Sequence, residues 1–438
     1  MQKLFSEFSP SSISDWKNKF LNDIKESTFE SYIWQNENGF DIQPLYNSES
    51  LSHSYLPAFT HSNWDVCVSS GSSDSKTLNS QLLNQLARGA NSISINCSNI
   101  NLIQALDGIL LNYIQSTFYI DNQSANPLFN YLSNHYNLNE LNISILPIIF
   151  NNENDLKNWA NNKSLFNDFA GINTIGVNLY LSHNQNCLAY YEIALIFSAL
   201  VEQLEFLSKK DEISNSKIVI KTGVNSDYFI QIAKLRAIRR LWNNLKIVYN
   251  CKNDIHLIVE TTLTNKSISD SYNNLIRSSI ESMAAIAGGC NELIVSEFDT
   301  LNPTDKILSE RLAINQQLVL KDESYFDKIA DVSCGSFYIE SITDAIASKA
   351  LETFKRFENE GGYFKCIAKS IFFNEINIQA KHQQDKINNQ EKVSVGVNRF
   401  KNELENLEFS PNQIESLSNL YINNPSLNFE LNNYLKPK

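Results

Sequence analysis

The chain repeats one unit many times: a short run of β-branched residues, followed by a longer stretch with helical periodicity. Runs of the first kind are typical of buried strands, and the stretches between them are typical of helices that bury one side. The predicted strands cover residues 65–68, 92–95, 117–120, 143–149, 174–179, 217–220, 255–259 and 292–295. The clearest predicted helices cover residues 188–207, 228–245, 271–287 and 311–320.

Strands that alternate with helices predict right-handed βαβ units and a parallel sheet. Eight such units close into a (β/α)8 barrel of the TIM type, for which about 250 residues is the usual length. An open doubly wound sheet is the alternative, but no Gly-x-Gly-x-x-Gly turn follows an early strand. We therefore predict an α/β barrel over residues 55–350, an N-terminal arm over residues 1–54 and a C-terminal helical extension over residues 351–438.

The charge balance and the apolar pattern limit the classes of function. The formal net charge is −12, and the basic residues form no stripe, which argues against a nucleic-acid partner. No 18 apolar residues run together, and the first seven residues do not resemble a signal peptide, so we expect no membrane partner. The seven cysteines contain no Cys-x-x-Cys pair, which favours reduced thiols and a cytoplasmic location.

Few candidate catalytic groups stand where a barrel would carry them. A barrel's chemistry lies on the loops that follow its strands, and the titratable residues there include His183, Glu260 and Glu297. A lone histidine in such a loop is more often a hydrogen-bonding residue than a base, so no acid–base pair can be named. The serine-rich stretch 69–75 could cradle a phosphate, but a solvated loop is the simpler interpretation.

Metal and cofactor signatures are equally weak. The six histidines never have the His-x-x-x-His spacing of a helical metal site. Asp254-Ile255-His256 begins like the Asp-x-His-x-x-Gly signature of cobalamin-binding modules, but Val259 stands where the glycine is needed. From the residues alone, the chain is a barrel without a convincing active site.

Several stretches resemble the methylmalonyl-CoA mutase family, and they occur in the family's order. The family's helix Ile-Ala-Lys-Leu-Arg-Ala-x-Arg-x-Leu-Trp is matched by Ile232-Ala233-Lys234-Leu235-Arg236-Ala237-Ile238-Arg239-Arg240-Leu241-Trp242. Its Asp-Pro-Ala-Gly-Gly-Ser-Tyr-Tyr-Val-Glu is similar to Asp331-Val332-Ser333-Cys334-Gly335-Ser336-Phe337-Tyr338-Ile339-Glu340. Further matches lie at residues 34–46, 84–92, 192–194, 272–277, 284–289 and 395–398.

The departures from the family are as informative as the matches. Catalytic chains carry Gly-Tyr-His after the fifth strand, where this chain has Leu179-Tyr180-Leu181, and a leucine can neither titrate nor donate a hydrogen bond. The family's Arg-Pro…Arg-Gln-Tyr-Ala-Gly run is replaced by His61-Ser62-Asn63-Trp64. The resemblance therefore implies that this chain has no catalytic, cofactor-binding or metal-binding residue, and that Tyr180, Leu181 and His183 mark a vestigial pocket.

The resemblance implies an isomerase complex of propionate metabolism that interconverts (R)-methylmalonyl-CoA and succinyl-CoA with adenosylcobalamin. We recognise no cobalamin-binding domain in the 438 residues. A large (alpha) subunit is thus expected to bind the cobalamin and the acyl-CoA, with this chain as the inactive small (beta) subunit of a heterodimer. In this family the arm wraps the other subunit, although an arm that folds back on its own barrel is the alternative.

Two other functions stay open at this point. One is a substrate-binding barrel of another acyl-CoA mutase that borrows a separate cobalamin protein. The other is a stand-alone barrel hydrolase or lyase that uses His183 with Glu260 or Glu297.

Overall fold

Eight parallel strands form a closed ring in the computed structural model. The strands are β1 (Asp65–Ser69), β2 (Ser92–Asn96), β3 (Gln115–Ile120), β4 (Ile143–Pro147), β5 (Ile172–Asn173 and Ile175–Asn178), β6 (Ile218–Val224), β7 (Ile255–Thr261) and β8 (Glu292–Ile294). Each pairs in parallel with the next, and β8 pairs with β1. Strand β5 is interrupted at Thr174: its first segment pairs with β4 and its second with β6, which completes the ring. The predicted barrel is confirmed.

The structure describes residues 11–25, 28–51, 57–69, 74–148, 150–169, 171–208, 213, 216–402, 408–409, 423–433 and 436–437. The helices around the ring are α1 (Ser75–Ala87), α2 (Leu102–Ala105), α3 (Ala125–His135), α4 (Glu153–Ser164), α5 (Ala189–Ser208), α6 (Tyr228–Val248), α7 (Tyr272–Ala287) and α8 (Lys306–Leu318). They are followed by α9 (Phe337–Asn359), α10 (Tyr363–Ala368), α11 (Ile371–Asn388) and α12 (Pro425–Asn433). Within these described ranges, no helix is long and apolar enough to cross a membrane.

Several short elements complete the described chain. An N-terminal helix covers Ile13–Ile24, and a one-turn helix covers Tyr180–His183 between β5 and α5. Single turns of 3-10 helix lie at Glu30–Tyr32, Ser48–Ser50, Leu111–Tyr113, Leu138–Glu140 and Phe326–Lys328, and a π-helical turn covers Val319–Glu323. Two-residue strands pair at Trp34–Gln35 with Asp41–Ile42, and at Glu408–Phe409 with Lys436–Pro437.

Each barrel strand alternates between the inside of the ring and the surrounding helices, because successive side chains on a strand point to opposite faces. The apolar side chains on the inside form one buried cluster, made by Cys67, Tyr119, Leu146, Val219, Ile258 and Ile294. The outward side chains pack against the helices in two larger clusters. Burial on both faces explains why the strands read as continuous apolar runs rather than as alternating ones.

Two of the stretches that resemble the mutase family meet in space. Arg236 of α6 is fully buried and forms ion pairs with Asp331 and Glu340, while Arg240 pairs with Glu340 and Asp344. These ion pairs connect helix α9 to helix α6. Unpaired buried charges are strongly unfavourable, so the two stretches depend on each other for the fold.

The N-terminal arm has two parts with different surroundings. Residues 34–46 lie on this chain's own barrel: the Asn38 side chain accepts a hydrogen bond from the Ala189 amide, and the Tyr46 ring packs on Tyr338. The fold-back alternative therefore holds for this part. The N-terminal helix, by contrast, buries no residue. Contact between a partner and residues 13–32 stays a prediction.

The division into arm, barrel and extension also stays a prediction. Helix α9 runs without interruption across position 350, so a boundary there would cut a helix. After α11, the chain returns to the barrel at α12. The Asn424 side chain donates hydrogen bonds to the carbonyls of Leu263 and Lys266 in the loop between β7 and α7.

The attachment of α12 is expected to depend on pH through Glu430. This buried carboxylate accepts hydrogen bonds from the Ile268 and Ser269 amides, and burial raises its pKa to about 7 against the opposing effect of these amides and Arg277. A raised pKa means that the docked state favours the protonated form. Attachment is therefore strongest below the ordinary pKa of 4.5 and weakens as the pH rises through about 7.

Hydrogen–deuterium exchange of the amides of residues 426–433 measures this attachment. After correction for intrinsic rates, we expect faster exchange at pH 8 than at pH 5, and no such difference in a Glu430→Gln variant. An equal pH dependence in both proteins would contradict the assignment to Glu430.

Candidate functional site

The C-terminal mouth of the barrel is closed by this chain's own side chains. Lys221 of β6 and Glu260 of β7 point into the mouth and form an ion pair of 2.7 Å, with side chains only 7% and 12% exposed. The rings of Tyr119 and Tyr180 lie 5.4 and 5.2 Å from the Lys221 ammonium. A separate cavity of about 90 Å³ touches Glu260 and extends between β1, β8 and helices α1 and α8.

The ion pair with Glu260 disfavours a role for Lys221 as a nucleophile. Burial alone would lower the pKa of this amine, but the Glu260 carboxylate overcomes that effect and raises the pKa above its ordinary value. An amine attacks a carbonyl carbon only when it is deprotonated. Lys221 is therefore a charge that fills the mouth rather than a nucleophile.

The structure does not bring Tyr180, Leu181 and His183 together into one pocket. Tyr180 enters the mouth, where its hydroxyl donates a hydrogen bond of 2.8 Å to the Thr261 carbonyl. Leu181 faces outward and is 49% exposed. His183 is 3% exposed and packs between the barrel and helices α5 and α6. One turn of helix thus sends the three side chains in three directions.

His183 belongs to a buried charge cluster that the sequence analysis missed. Its Nδ1 atom lies 3.0 Å from the Glu192 carboxylate, and Lys234 donates a 2.9 Å hydrogen bond to the same oxygen. The other Glu192 oxygen accepts a hydrogen bond from Thr222. Burial favours neutral Glu192, but Lys234 and His183 outweigh it and hold its pKa at about 2. Burial and Lys234 lower the pKa of His183, against the opposing effect of Glu192.

This cluster explains a glycine in β6. A Cβ atom on Gly223 would lie 2.1 Å from the His183 ring, so only glycine lets the imidazole pack on the strand. The carboxylate partner of His183 is Glu192, whereas Glu260 pairs with Lys221. The geometry therefore gives no support to a hydrolase that combines His183 with Glu260.

A further cavity lies beyond the C-terminal ends of β5, β6 and β7, between the loops that follow these strands, the helices and the arm. It measures about 900 Å³ and is bordered by the arm, the N-terminal ends of α5 and α6, helix α7 and the segment before α12. Its acidic and basic side chains largely neutralise one another; Glu37, for example, pairs with both Lys386 and Lys392. No ligand class is favoured by such a lining.

His256 does not fit the role of a cobalt ligand. It lies on β7 inside the barrel, with Nε2 2.5 Å from a Glu292 carboxylate oxygen. The other oxygen of Glu292 accepts a 2.5 Å hydrogen bond from Ser92. The Nε2 atom of His256 is thus already engaged by Glu292.

Two further candidate features are the serine-rich stretch and the cysteines. The phosphate-cradle alternative depends on residues 70–73, which lie outside the described residues. All seven cysteines are free thiols, and six of them are buried. Buried thiols in apolar surroundings are inert because burial disfavours the thiolate.

Comparisons with known proteins agree with the architecture. The family model for methylmalonyl-CoA mutase matches residues 158–422, which is more than half of the chain. The methylmalonyl-CoA mutase small subunit of Porphyromonas gingivalis is 27% identical over 444 residues, which cover 92% of this chain and 71% of that protein. The mitochondrial methylmalonyl-CoA mutase of Bos taurus is 34% identical over 210 residues, 47% of this chain and 27% of the enzyme.

The similarity to the mitochondrial enzymes is thus confined to about a quarter of their length. The probable mitochondrial methylmalonyl-CoA mutase of Caenorhabditis elegans likewise matches 41% of this chain and 25% of its own length, with 35% identity. The barrel, the ordered motifs and the family model nevertheless all lead to one conclusion. This chain belongs to the methylmalonyl-CoA mutase family.

Proposed function

We propose that this chain is the non-catalytic small subunit of an adenosylcobalamin-dependent methylmalonyl-CoA mutase. It pairs with a large catalytic subunit as a heterodimer in the cytoplasm and stabilises that subunit. The complex interconverts (R)-methylmalonyl-CoA and succinyl-CoA in propionate metabolism. The similarity to a small subunit over 92% of the chain supports this assignment.

The closed mouth is the observation that carries the non-catalytic role. The Lys221–Glu260 ion pair, with the Tyr119 and Tyr180 rings beside it, occupies the C-terminal end of the bore, where a barrel enzyme carries its catalytic groups. The exposed Leu181 side chain also offers no proton donor or acceptor beside the mouth.

A partner of this kind contributes structure rather than chemistry. In radical enzymes the cofactor performs the difficult step, and the protein binds and orients the reacting groups. Adenosylcobalamin and the acyl-CoA would therefore be held by the large subunit. The small subunit would contribute a large, partly apolar interface of the kind that obligate partners share.

The two other functions need features that the geometry disfavours. A barrel that borrows cobalamin from a separate protein needs an open mouth for the acyl-CoA. A hydrolase needs a histidine near the mouth, but His183 is buried against Glu192. A neighbouring gene for a chain of roughly 700 residues with an Asp-x-His-x-x-Gly signature would favour our proposal over both.

Replacing Leu181 with histidine is expected to produce no mutase activity. The change restores one histidine, but the Lys221–Glu260 pair still fills the mouth. The contributions to catalysis of residues that act as a unit are strongly non-additive, so one restored residue has little effect. Succinyl-CoA formation by the Leu181→His chain, measured without the large subunit, should equal that of a Leu181→Asn control. Turnover by the histidine variant alone would contradict the proposal.

A further inference from the structure

Three hydroxyl side chains form a row inside the barrel. Ser94 of β2 is in register with Thr117 of β3, which is in register with Ser144 of β4. Thr117 and Ser144 lie two residues before Tyr119 and Leu146 of the inner cluster, so the row faces the bore. Each of the three residues is at most 1% exposed. We call them the hydroxyl row.

None of these hydroxyls has a hydrogen-bond partner among the described residues. The same is true of two polar atoms on β3 that lie on either side of the row, Tyr119 Oη and Gln115 Nε2. The Tyr119 hydroxyl lies beside Ser94, but without the geometry of a hydrogen bond. A buried polar group without a partner costs about 1–3 kcal/mol, and native proteins contain few of them. Five on one wall of a bore therefore indicate a polar occupant.

The spacing of the row indicates what that occupant is. Adjacent strands lie about 4.8 Å apart, whereas a direct hydroxyl–hydroxyl hydrogen bond needs about 2.7–2.8 Å. No direct hydrogen bond joins the neighbouring hydroxyls of the row, and one water molecule can bridge two polar groups that are not bonded directly. Gly176 of β5 contributes no side chain to the bore. The facing residues Val219, Ile258 and Ile294 are apolar. Their side chains form no hydrogen bonds, so water in this layer of the bore binds to the hydroxyl row.

Charged side chains close the bore on both sides of the row along the barrel axis. The Lys221–Glu260 pair lies on the mouth side, and Ser92, Glu292 and His256 form a hydrogen-bonded group on the opposite side. An organic molecule has no wide path between these groups. Water needs only small fluctuations to enter, and two or more polar partners hold it in place.

We infer that the bore of the barrel binds an ordered water cluster along Ser94, Thr117 and Ser144. The waters bridge the three hydroxyls and satisfy Tyr119 Oη and Gln115 Nε2 on either side of the row. The bore is therefore a hydrated part of the fold rather than a dry apolar core. This inference does not depend on the proposed function, because it concerns the barrel of the chain alone.

Oxygen-17 magnetic relaxation dispersion of the water signal counts long-lived internal waters in the purified chain. We expect a triple variant, Ser94→Ala/Thr117→Val/Ser144→Ala, to lose about two of them, one for each gap in the row. The control is Ser282→Ala, whose hydroxyl already donates to the Ser278 carbonyl and should bind no internal water. An unchanged count in the triple variant would overturn the inference.

Thermal unfolding gives a second readout that needs only Thr117→Val, should the triple variant fail to fold. If Thr117 is bound to water, removal of its hydroxyl breaks hydrogen bonds and lowers the melting temperature. If the bore is dry, removal of an unpaired hydroxyl raises the melting temperature. A raised melting temperature, or an organic molecule detected by mass spectrometry after denaturation, would also overturn the inference.

Discussion

Replacing Lys234 with methionine should destabilise the chain by about 3–5 kcal/mol, because the change leaves the Glu192 carboxylate buried without its cation. Both side chains are fully buried, and the Lys234 ammonium lies 2.9 Å from Glu192 and 2.5 Å from the Gly223 carbonyl. Methionine fills a similar volume, so the loss measures charge rather than packing. Urea unfolding of the purified chain, followed by circular dichroism, gives the free energy.

The same helix offers a matched control. Lys246 pairs with Asp254 at 2.6 Å, but these side chains are 25% and 74% exposed, so Lys246→Met should cost about 0–1 kcal/mol. The double variant Glu192→Gln/Lys234→Met removes both charges and should recover part of the loss. If Lys234→Met and Lys246→Met lower the free energy of unfolding equally, the buried Lys234–Glu192 pair contributes no more to stability than the exposed pair.

Removing residues 1–27 should weaken assembly with the large subunit roughly a hundredfold, since about 3 kcal/mol of aromatic burial would be lost. Trp16 and Phe20 of the N-terminal helix stack at 5.2 Å and pack on Phe29 and Tyr32 of the same arm. The helix itself buries no residue. Because the aromatic side chains of this helix stay partly exposed, they can pack against the surface of a partner.

Two measurements separate this account from an arm that serves only its own barrel. Analytical ultracentrifugation across a dilution series gives the dissociation constant, and urea unfolding gives the stability of the truncated chain. We expect weaker assembly with nearly unchanged stability, while Tyr113→Ala, a change to a 78% exposed tyrosine outside the arm, should alter neither. Native affinity in the truncated chain would show that the arm does not hold the partner.

The barrel could be predicted from the sequence because its signal is local and repeated. Strands buried on both faces must be apolar along their length, and the helices between them carry apolar stripes. All eight predicted strands are present, with ends that differ by a few residues. The break in β5 at Thr174 was not predicted, because a one-residue interruption leaves the apolar run intact.

The buried charges could not be predicted, because they depend on contacts between distant residues. Glu192 and Lys234 lie in apolar stretches of α5 and α6, where a single charge could equally face solvent. Lys221 and Glu260 meet only because β6 and β7 pair with a particular register. The sequence does show that a charged residue lies within a strongly apolar helical stretch. It does not show which residue pairs with that charge.

We propose that catalysis and cobalamin binding belong to the large subunit alone. Reconstitution of the complex from its two subunits tests this proposal most directly. The large subunit is titrated with this chain while succinyl-CoA formation and bound adenosylcobalamin per complex are measured. The account predicts one cobalamin per one-to-one heterodimer, with neither turnover nor cobalamin in this chain by itself. Two cobalamins per heterodimer, or succinyl-CoA formed by this chain alone, would contradict it.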